Sequence, residues 1–118
     1  YHSGDCVPYD GLAERLSRLS VDLALLPVNG RDAGRRSHGI PGNFSLDEAC
    51  TLARDAGIPY LLAHHHGMFE FNTVSYGEMT RFLEQTGEGR AGRFQAARLG
   101  VAYGLGAFAA AVCSDYRL

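Results

Sequence analysis

Two short apolar runs bracket a stretch that carries a complete helix-start signal, and this arrangement limits the chain more than any other feature. Val21-Asp22-Leu23-Ala24-Leu25-Leu26-Pro27 reads as a largely apolar strand stopped by proline, which cannot donate to a ladder. Ile58-Pro59-Tyr60-Leu61-Leu62 reads as a second, short buried strand. Between them, Ser45-Leu46-Asp47-Glu48 has the form of a capping box, in which the serine caps and Glu48 reaches back. Leu46, Ala49, Cys50, Ala53 and Ala56 give that helix a buried stripe, and Gly57 ends it. Upstream, residues 9–19 place Leu12, Leu16 and Leu19 on one helical face, with Asp10 at the dipole-favoured start. Strands alternating with helices predict an α/β fold, a sheet with helices packed on it. The two strands are expected side by side in one sheet, with the 9–19 and 45–56 helices against it.

The second strand runs into Ala63-His64-His65-His66-Gly67-Met68-Phe69-Glu70-Phe71-Asn72, which holds three of the five histidines. Neutral imidazole is the commonest protein ligand for transition metals, and open α/β sheets bind ligands beyond the carboxyl ends of their strands. In an extended segment His64 and His66 share one side and His65 takes the other, so at most two of the three reach one ion. A catalytic zinc-type site needs about three protein ligands and an open position, so the rest of the shell must come from elsewhere. Ordinary loop or hydrogen-bonded histidines are the alternative.

The remaining segments frame this cluster. Tyr1-His2-Ser3-Gly4-Asp5-Cys6 looks like a strand end followed by a turn, with Asp5 at the exit. Residues 28–44 form a long loop rich in turn formers that also holds Arg31, Asp32, Arg35, Arg36 and His38. Its arginines suit a substrate phosphate or carboxylate, or are simply solvated, and Asp32 pairs with one of them or caps the loop. A third amphipathic helix is predicted over 76–85 through Met79, Phe82 and Leu83, followed by a glycine-rich break over 86–92. Beyond it, a helix around 95–99 and a strand at 101–105 are the expectations, and residues 88–118 carry the weakest pattern. Met68, Phe69 and Phe71 are assigned to a pocket wall or the core.

Composition excludes several classes of function. At 118 residues the chain is a single domain, and a formal charge of -2 gives no electrostatic case for nucleic acid. All eleven basic residues are arginine, which rules out a Schiff-base or P-loop lysine. Cys6, Cys50 and Cys113 offer no paired motif, so a reduced, cytoplasmic setting is expected. The longest uncharged run, residues 99–113, falls short of the ~20 apolar residues of a membrane helix. The chain begins at Tyr1 without methionine, so the expectation is either a removed start or a piece of a longer protein.

Several ordered motifs then carry a resemblance. Ser3-Gly4-Asp5, the run from Asp22-Leu23-Ala24-Leu25-Leu26-Pro27 through Val28-Asn29-Gly30-Arg31-Asp32, Gly42-Asn43-Phe44, and His65-His66-Gly67-Met68-Phe69 with Asn72-Thr73 resemble the C-terminal half of a metallo-β-lactamase-fold hydrolase. The branch they look most like is the ascorbate-6-phosphate lactonase-like metal-dependent hydrolases, over residues 1–72. The resemblance implies the C-terminal half of an αββα sandwich, with residues 1–118 as one partial domain.

It also implies roles. In that family an aspartate after a Ser/Ala-Gly pair bridges two metal ions and a later histidine binds the second, which here are Asp5 and His65. The implied cofactors are two divalent ions, manganese or zinc, with water or hydroxide between them as the nucleophile. The implied chemistry is hydrolysis of a lactone or related ester of a small, optionally phosphorylated, sugar acid. Asn29, Arg31, Asp32, Asn43 and His66, all within the resembling stretches, are the candidate substrate contacts. The partner expected is this small molecule, with no nucleic acid and no membrane, and homo-oligomerisation is left open. The family's H-x-H-x-D-H motif lies upstream of the equivalent of Asp5 and does not occur in this sequence. The isolated chain is therefore expected to be inactive, and a non-catalytic half-domain is the alternative.

Overall fold

The computed structural model describes residues 1–86, 93–104 and 114–115. In chain order its elements are α1 (Leu12–Arg18), β1 (Leu23–Pro27), α2 (Ala33–Ser37), α3 (Leu46–Asp55), β2 (Tyr60–His64), α4 (Tyr76–Gln85), β3 (Phe94–Ala96), β4 (Val101–Ala102) and β5 (Ser114–Asp115). The fold is α/β: β1, β2 and β3 form a parallel sheet in that order, with helices packed on it. The expected adjacency of the two apolar runs holds, with Leu23 opposite Tyr60 and Pro27 opposite His64.

Beside β1 runs the start of the chain. His2 bridges Leu25 in parallel, Leu25 N–H donates to Tyr1 O at 2.8 Å, and Ser3 N–H donates to Leu25 O at 3.3 Å. Pro27 is the last residue of β1, as the sequence implies. Its missing N–H falls on the side of this N-terminal segment, whose ladder ends at Ser3.

One face of the sheet is the core. Ala24 and Leu26 of β1, Leu61 and Ala63 of β2, and Phe94 and Ala96 of β3 share that face. They join one cluster with Leu12 and Leu16 of α1, Ala49, Cys50 and Ala53 of α3, and Met79 and Leu83 of α4. α3 lies on β1 and β2, α4 lies against β3, and α1 rests on α3. Full burial of one leucine such as Leu61 is worth about 1.5–3 kcal/mol, so this single layer contact dominates the stability. The opposite face presents Leu23, Leu25, Tyr60, Leu62 and His64, all half-buried.

Both long helices start as their sequences require. Ser45 accepts from Glu48 N–H while Glu48 accepts from Ser45 N–H, and Ser75 and Glu78 repeat the arrangement at α4. Gly57, at φ 69°, takes the left-handed turn that closes α3.

Four expectations are corrected. The 9–19 helix ends at Arg18, and Leu19 is exposed because its position falls past the last turn. The 28–44 loop contains α2, capped by Asp32. The helix expected at 95–99 is instead β3: Phe94 and Ala96 are buried with a period of two, and β2 supplies the ladder, Leu61 N–H donating to Arg93 O and Ala97 N–H to Ala63 O. At 101–105 only Val101 and Ala102 are strand, paired antiparallel with β5, and residue 105 lies outside the described residues. The glycine-rich break also lies outside them from residue 87 on. Among the described residues no helix is long and apolar enough to cross a membrane.

Candidate metal centre

Three neighbouring parallel segments end at one rim of the sheet, and each delivers a polar residue there. The N-terminal segment leaves the ladder at Ser3, turns at Gly4 (φ 62°) and reaches Asp5. β1 makes its last rung through Val28 N–H to His64 O at 3.0 Å, and the next residue is Asn29. β2 ends at His64, and His65 takes φ 62°, a left-handed conformation uncommon for a residue with a side chain. This rim is the carboxyl end of the strands, where open α/β sheets bind their ligands.

The turn at His65 overrides the strand alternation on which the expected facing of the histidines rested. His64 stays in the strand with its ring 4.8 Å from that of His2. His66 turns toward β3, its Nε2 lying 2.9 Å from Ala97 O. His65 alone swings to Asp5, with Nδ1 3.0 Å from Asp5 Oδ1. The three imidazoles thus serve three different places, and one of them meets the carboxylate.

A metal ion is compatible with this pair as two ligands of a larger shell. Donors about 2.0–2.2 Å from a common ion and at right angles to it lie about 3 Å apart, which is the separation of Asp5 Oδ1 and His65 Nδ1. Their side chains are 77% and 33% exposed, so an ion and its water can reach them. Among the described residues, however, no group of three or more His, Cys, Asp or Glu side chains gathers to hold an ion. The fit is for two positions of a shell, and no complete site is formed by this chain's described residues.

Behind the pair lies a buried amide cluster. Asn29 and Asn43 are each 3% exposed. Asn43 Oδ1 accepts from Cys6 N–H at 2.7 Å, and its Nδ2 lies 2.9 Å from Asn29 Oδ1, 3.1 Å from His65 Nδ1 and 3.4 Å from Asp5 Oδ1. Asn29 Nδ2 donates to Asn72 Oδ1 at 2.8 Å, which also accepts from Arg35 Nη1 at 2.7 Å. Asn29 and Asn43 thus lie buried behind Asp5 and His65, bonded to one another and to the protein around them. Sequence reasoning named Asn72 only as part of a motif, and the Cys6 N–H and Ala97 carbonyl carried no side-chain signal to find.

The rest of the 28–44 loop is equally committed. Gly30 N–H donates to Phe44 O and Asn43 N–H to Gly30 O, closing the two ends of the loop on each other. Gly42 sits in that closure at φ 73°, where a Cβ would come within 2.4 Å of Arg31 Cβ and 2.6 Å of Gly30 O. Arg31 forks onto both oxygens of Glu48 at 2.6 Å and donates to Asn43 O at 3.0 Å. That hydrogen bond from Arg31 holds the Glu48 carboxyl below its ordinary range and raises the guanidinium in turn. Asp32 caps α2 through Arg35 N–H and pairs with Arg35 Nε at 2.6 Å, the backbone bond first and the guanidinium second lowering its carboxyl. Arg31 and Arg35 are therefore each paired with a carboxylate of the protein, whereas Arg36 is exposed.

Two further features depart from expectation. Among the described residues His64 Nε2 is buried with no hydrogen-bond partner, and burial, reinforced by the nearby His2 ring, pushes this imidazole below its ordinary 6.5 and favours the neutral form. Met68, Phe69 and Phe71 lie outside the core: they are 73%, 50% and 67% exposed, with the two phenyl rings stacked at 5.6 Å, and Phe71 lines a surface cavity with Gly34, Arg35, His38 and Ile40. The chain turns outward after His65, and these side chains follow it.

No protein-family model matches the sequence, and no curated protein matches it. Among solved structures the fold is similar to that of Igni18, a novel metallo hydrolase from the hyperthermophilic archaeon Ignicoccus hospitalis KIN4/I. The TM-score is 0.54 at 14% identity, over 81% of this chain and 35% of that one. At that identity the likeness is one of fold, and this chain spans about a third of the length of its structural neighbour.

Proposed function

We propose that this chain carries part of the metal centre of a hydrolase, with Asp5 and His65 as ligands of a divalent ion such as manganese or zinc. The observation that supports this reading most directly is the 3.0 Å approach of Asp5 Oδ1 to His65 Nδ1, at the carboxyl rim of a sheet in a fold shared with a metallo hydrolase. A divalent ion held there supplies a water activated for attack at neutral pH. Asp5 contributes negative charge, His65 a neutral nitrogen donor, and the buried amides behind them fix the two side chains relative to each other. The substrate class, a lactone or related ester of a small sugar acid, rests on the resemblance of the quoted motifs. In this reading residues 1–118 are a partial domain. The half-buried face of Leu23, Leu25 and Leu62 packs against the other layer of an αββα sandwich, and an H-x-H-x-D-H segment adds the missing ligands.

Isothermal titration of the 118-residue chain with manganese or zinc, paired with a lactone hydrolysis assay, tests this. Weak binding that disappears in Asp5→Ala and in His65→Ala is expected, with no turnover by the chain alone. A chain extended by a segment bearing H-x-H-x-D-H is expected to hydrolyse the lactone and to lose that activity in the same variants. Metal-dependent turnover by the 118-residue chain, or an extended enzyme indifferent to His65→Ala, sinks the assignment. A second reading, a non-catalytic half-domain, is favoured by the lack of any three-donor cluster among the described residues. It predicts that the extended chain binds metal no better than the short one.

A further inference from the structure

The polar atoms of Asn43 can be accounted for one by one. Its backbone N–H donates to Gly30 O and its backbone carbonyl accepts from Arg31 Nη1. Its side-chain oxygen accepts from the Cys6 N–H, one residue beyond Asp5, which fixes which end of the amide is nitrogen. Of the two N–H bonds on Nδ2, one is taken by Asn29 Oδ1 at 2.9 Å. The other faces the Asp5 Oδ1 and His65 Nδ1 pair, at 3.4 and 3.1 Å.

The far end of the chain of amides is fixed as well. Asn72 Oδ1 receives Arg35 Nη1, a group that can only donate, so Asn72 turns its oxygen inward and Asn29 must give its Nδ2 to it. Asn29 Oδ1 then faces Asn43. Cys6 N–H and Arg35 are both pure donors, and with both ends anchored no amide in the row can flip without breaking a buried bond.

The Asp5 and His65 contact completes the argument. In the tautomer that places the ring proton on Nδ1, His65 donates to Asp5 Oδ1 at 3.0 Å and its Nδ1 lone pair is used. The second Asn43 N–H is then left with Asp5 Oδ1. We propose that Asn43 is a positioning residue: its buried amide, held by Cys6 on one side and by the Asn29, Asn72 and Arg35 row on the other, sets the Asp5 carboxylate against His65 before any ligand arrives. The proposal rests on the reading of Asp5 and His65 as a ligand pair, and its geometric part stands without it. Outer hydrogen-bond partners of this kind typically matter by about 10–100-fold in metal affinity.

The test compares the 118-residue chain with its Asn43→Ala variant, using nitrogen-15 spectra of the His65 ring without metal and titration with zinc chloride. In the original chain His65 carries its proton on Nδ1, the nitrogen facing Asp5. In the folded variant Asp5 is released, the proton moves to Nε2, and zinc binds at least about 10-fold more weakly. A purely structural role lowers the urea midpoint and moves neither readout, and that result overturns the proposal. If the original chain binds no zinc but the His65 proton still shifts in the variant, the positioning role holds and the metal reading fails. Should Asn43→Ala not fold, the Asn43 side-chain amide of the original chain decides: both of its protons protected from exchange supports the proposal, and the proton not bonded to Asn29 exchanging at the free-amide rate refutes it.

Discussion

Two loops leave adjacent strand ends at the same rim and behave oppositely. Residues 28–44 are polar and rich in glycine, yet Asn29, Arg31, Asp32, Arg35 and Asn43 are all bonded within the protein. Residues 67–71 are short and rich in apolar side chains, yet Met68, Phe69 and Phe71 face outward. Composition alone would assign order to the second and solvation to the first. What differs is the supply of partners. A loop whose carboxylates, amides and guanidinium groups match one another can satisfy itself, whereas a loop that turns outward at a left-handed residue carries its rings away from the core.

The contrast breaks most completely at Gly42. Gly42→Ala pushes a Cβ into the Arg31 and Gly30 backbone at a left-handed φ, and a loss of about 3 kcal/mol is expected from overpacking and strain. Urea unfolding measures it, and a loss below about 1 kcal/mol would mean that the loop closure yields easily. Next in size is Glu48→Ala, which removes both the capping-box acceptor and the Arg31 fork. About 1–2 kcal/mol is expected, and a double-mutant cycle with Arg31→Ala separates the two parts.

Acid sharpens the comparison because the carboxylate–arginine pairs belong to the first loop and its helix, whereas Glu78 of α4 is lowered chiefly by its capping bonds with Ser75. Glu48 is lowered from 4.5, chiefly by Arg31, so its native form binds fewer protons than the unfolded chain. The stability it contributes is complete above pH 4.5 and is lost as pH falls through the lower native value. Asp32, lowered from 3.8 by its bonds to Arg35, acts in the same sense at lower pH. The urea midpoint is therefore expected to fall on acidification below pH 4.5, less steeply in Glu48→Gln, whose neutral amide has no proton to gain. A variant as acid-sensitive as the original chain would show that the tie contributes nothing. The smallest effect is expected for Phe69→Ser and Phe71→Ser, each within about 0.5 kcal/mol, since both rings are exposed. A melting-temperature loss as large as that of Glu48→Ala would show that the stacked rings hold the loop.

Much of this was legible along the chain. Ser45 and Glu48 announced α3, Gly57 its end, and the Leu-rich runs the two adjacent strands, because each signal acts within a few residues. β3 was not legible: three residues make too short a pattern, and Phe94 is a strand residue only because Leu61 and Ala63 offer it a ladder. The histidine cluster announced a rim, but strand alternation gave the wrong facing, since the left-handed turn at His65 has no local sequence cause that we can identify.

The sequence by itself determined α1, α3 and α4 and the adjacency of β1 and β2, and its motifs put Asp5 and His65 forward together. The tertiary structure decided which polar side chains meet Asp5 and His65 and which meet one another. Asn43 meets Cys6 across 37 positions and Arg35 meets Asn72 across another 37. Whether a buried amide is satisfied depends on the group that folding brings to it, and no stretch of chain contains that information locally.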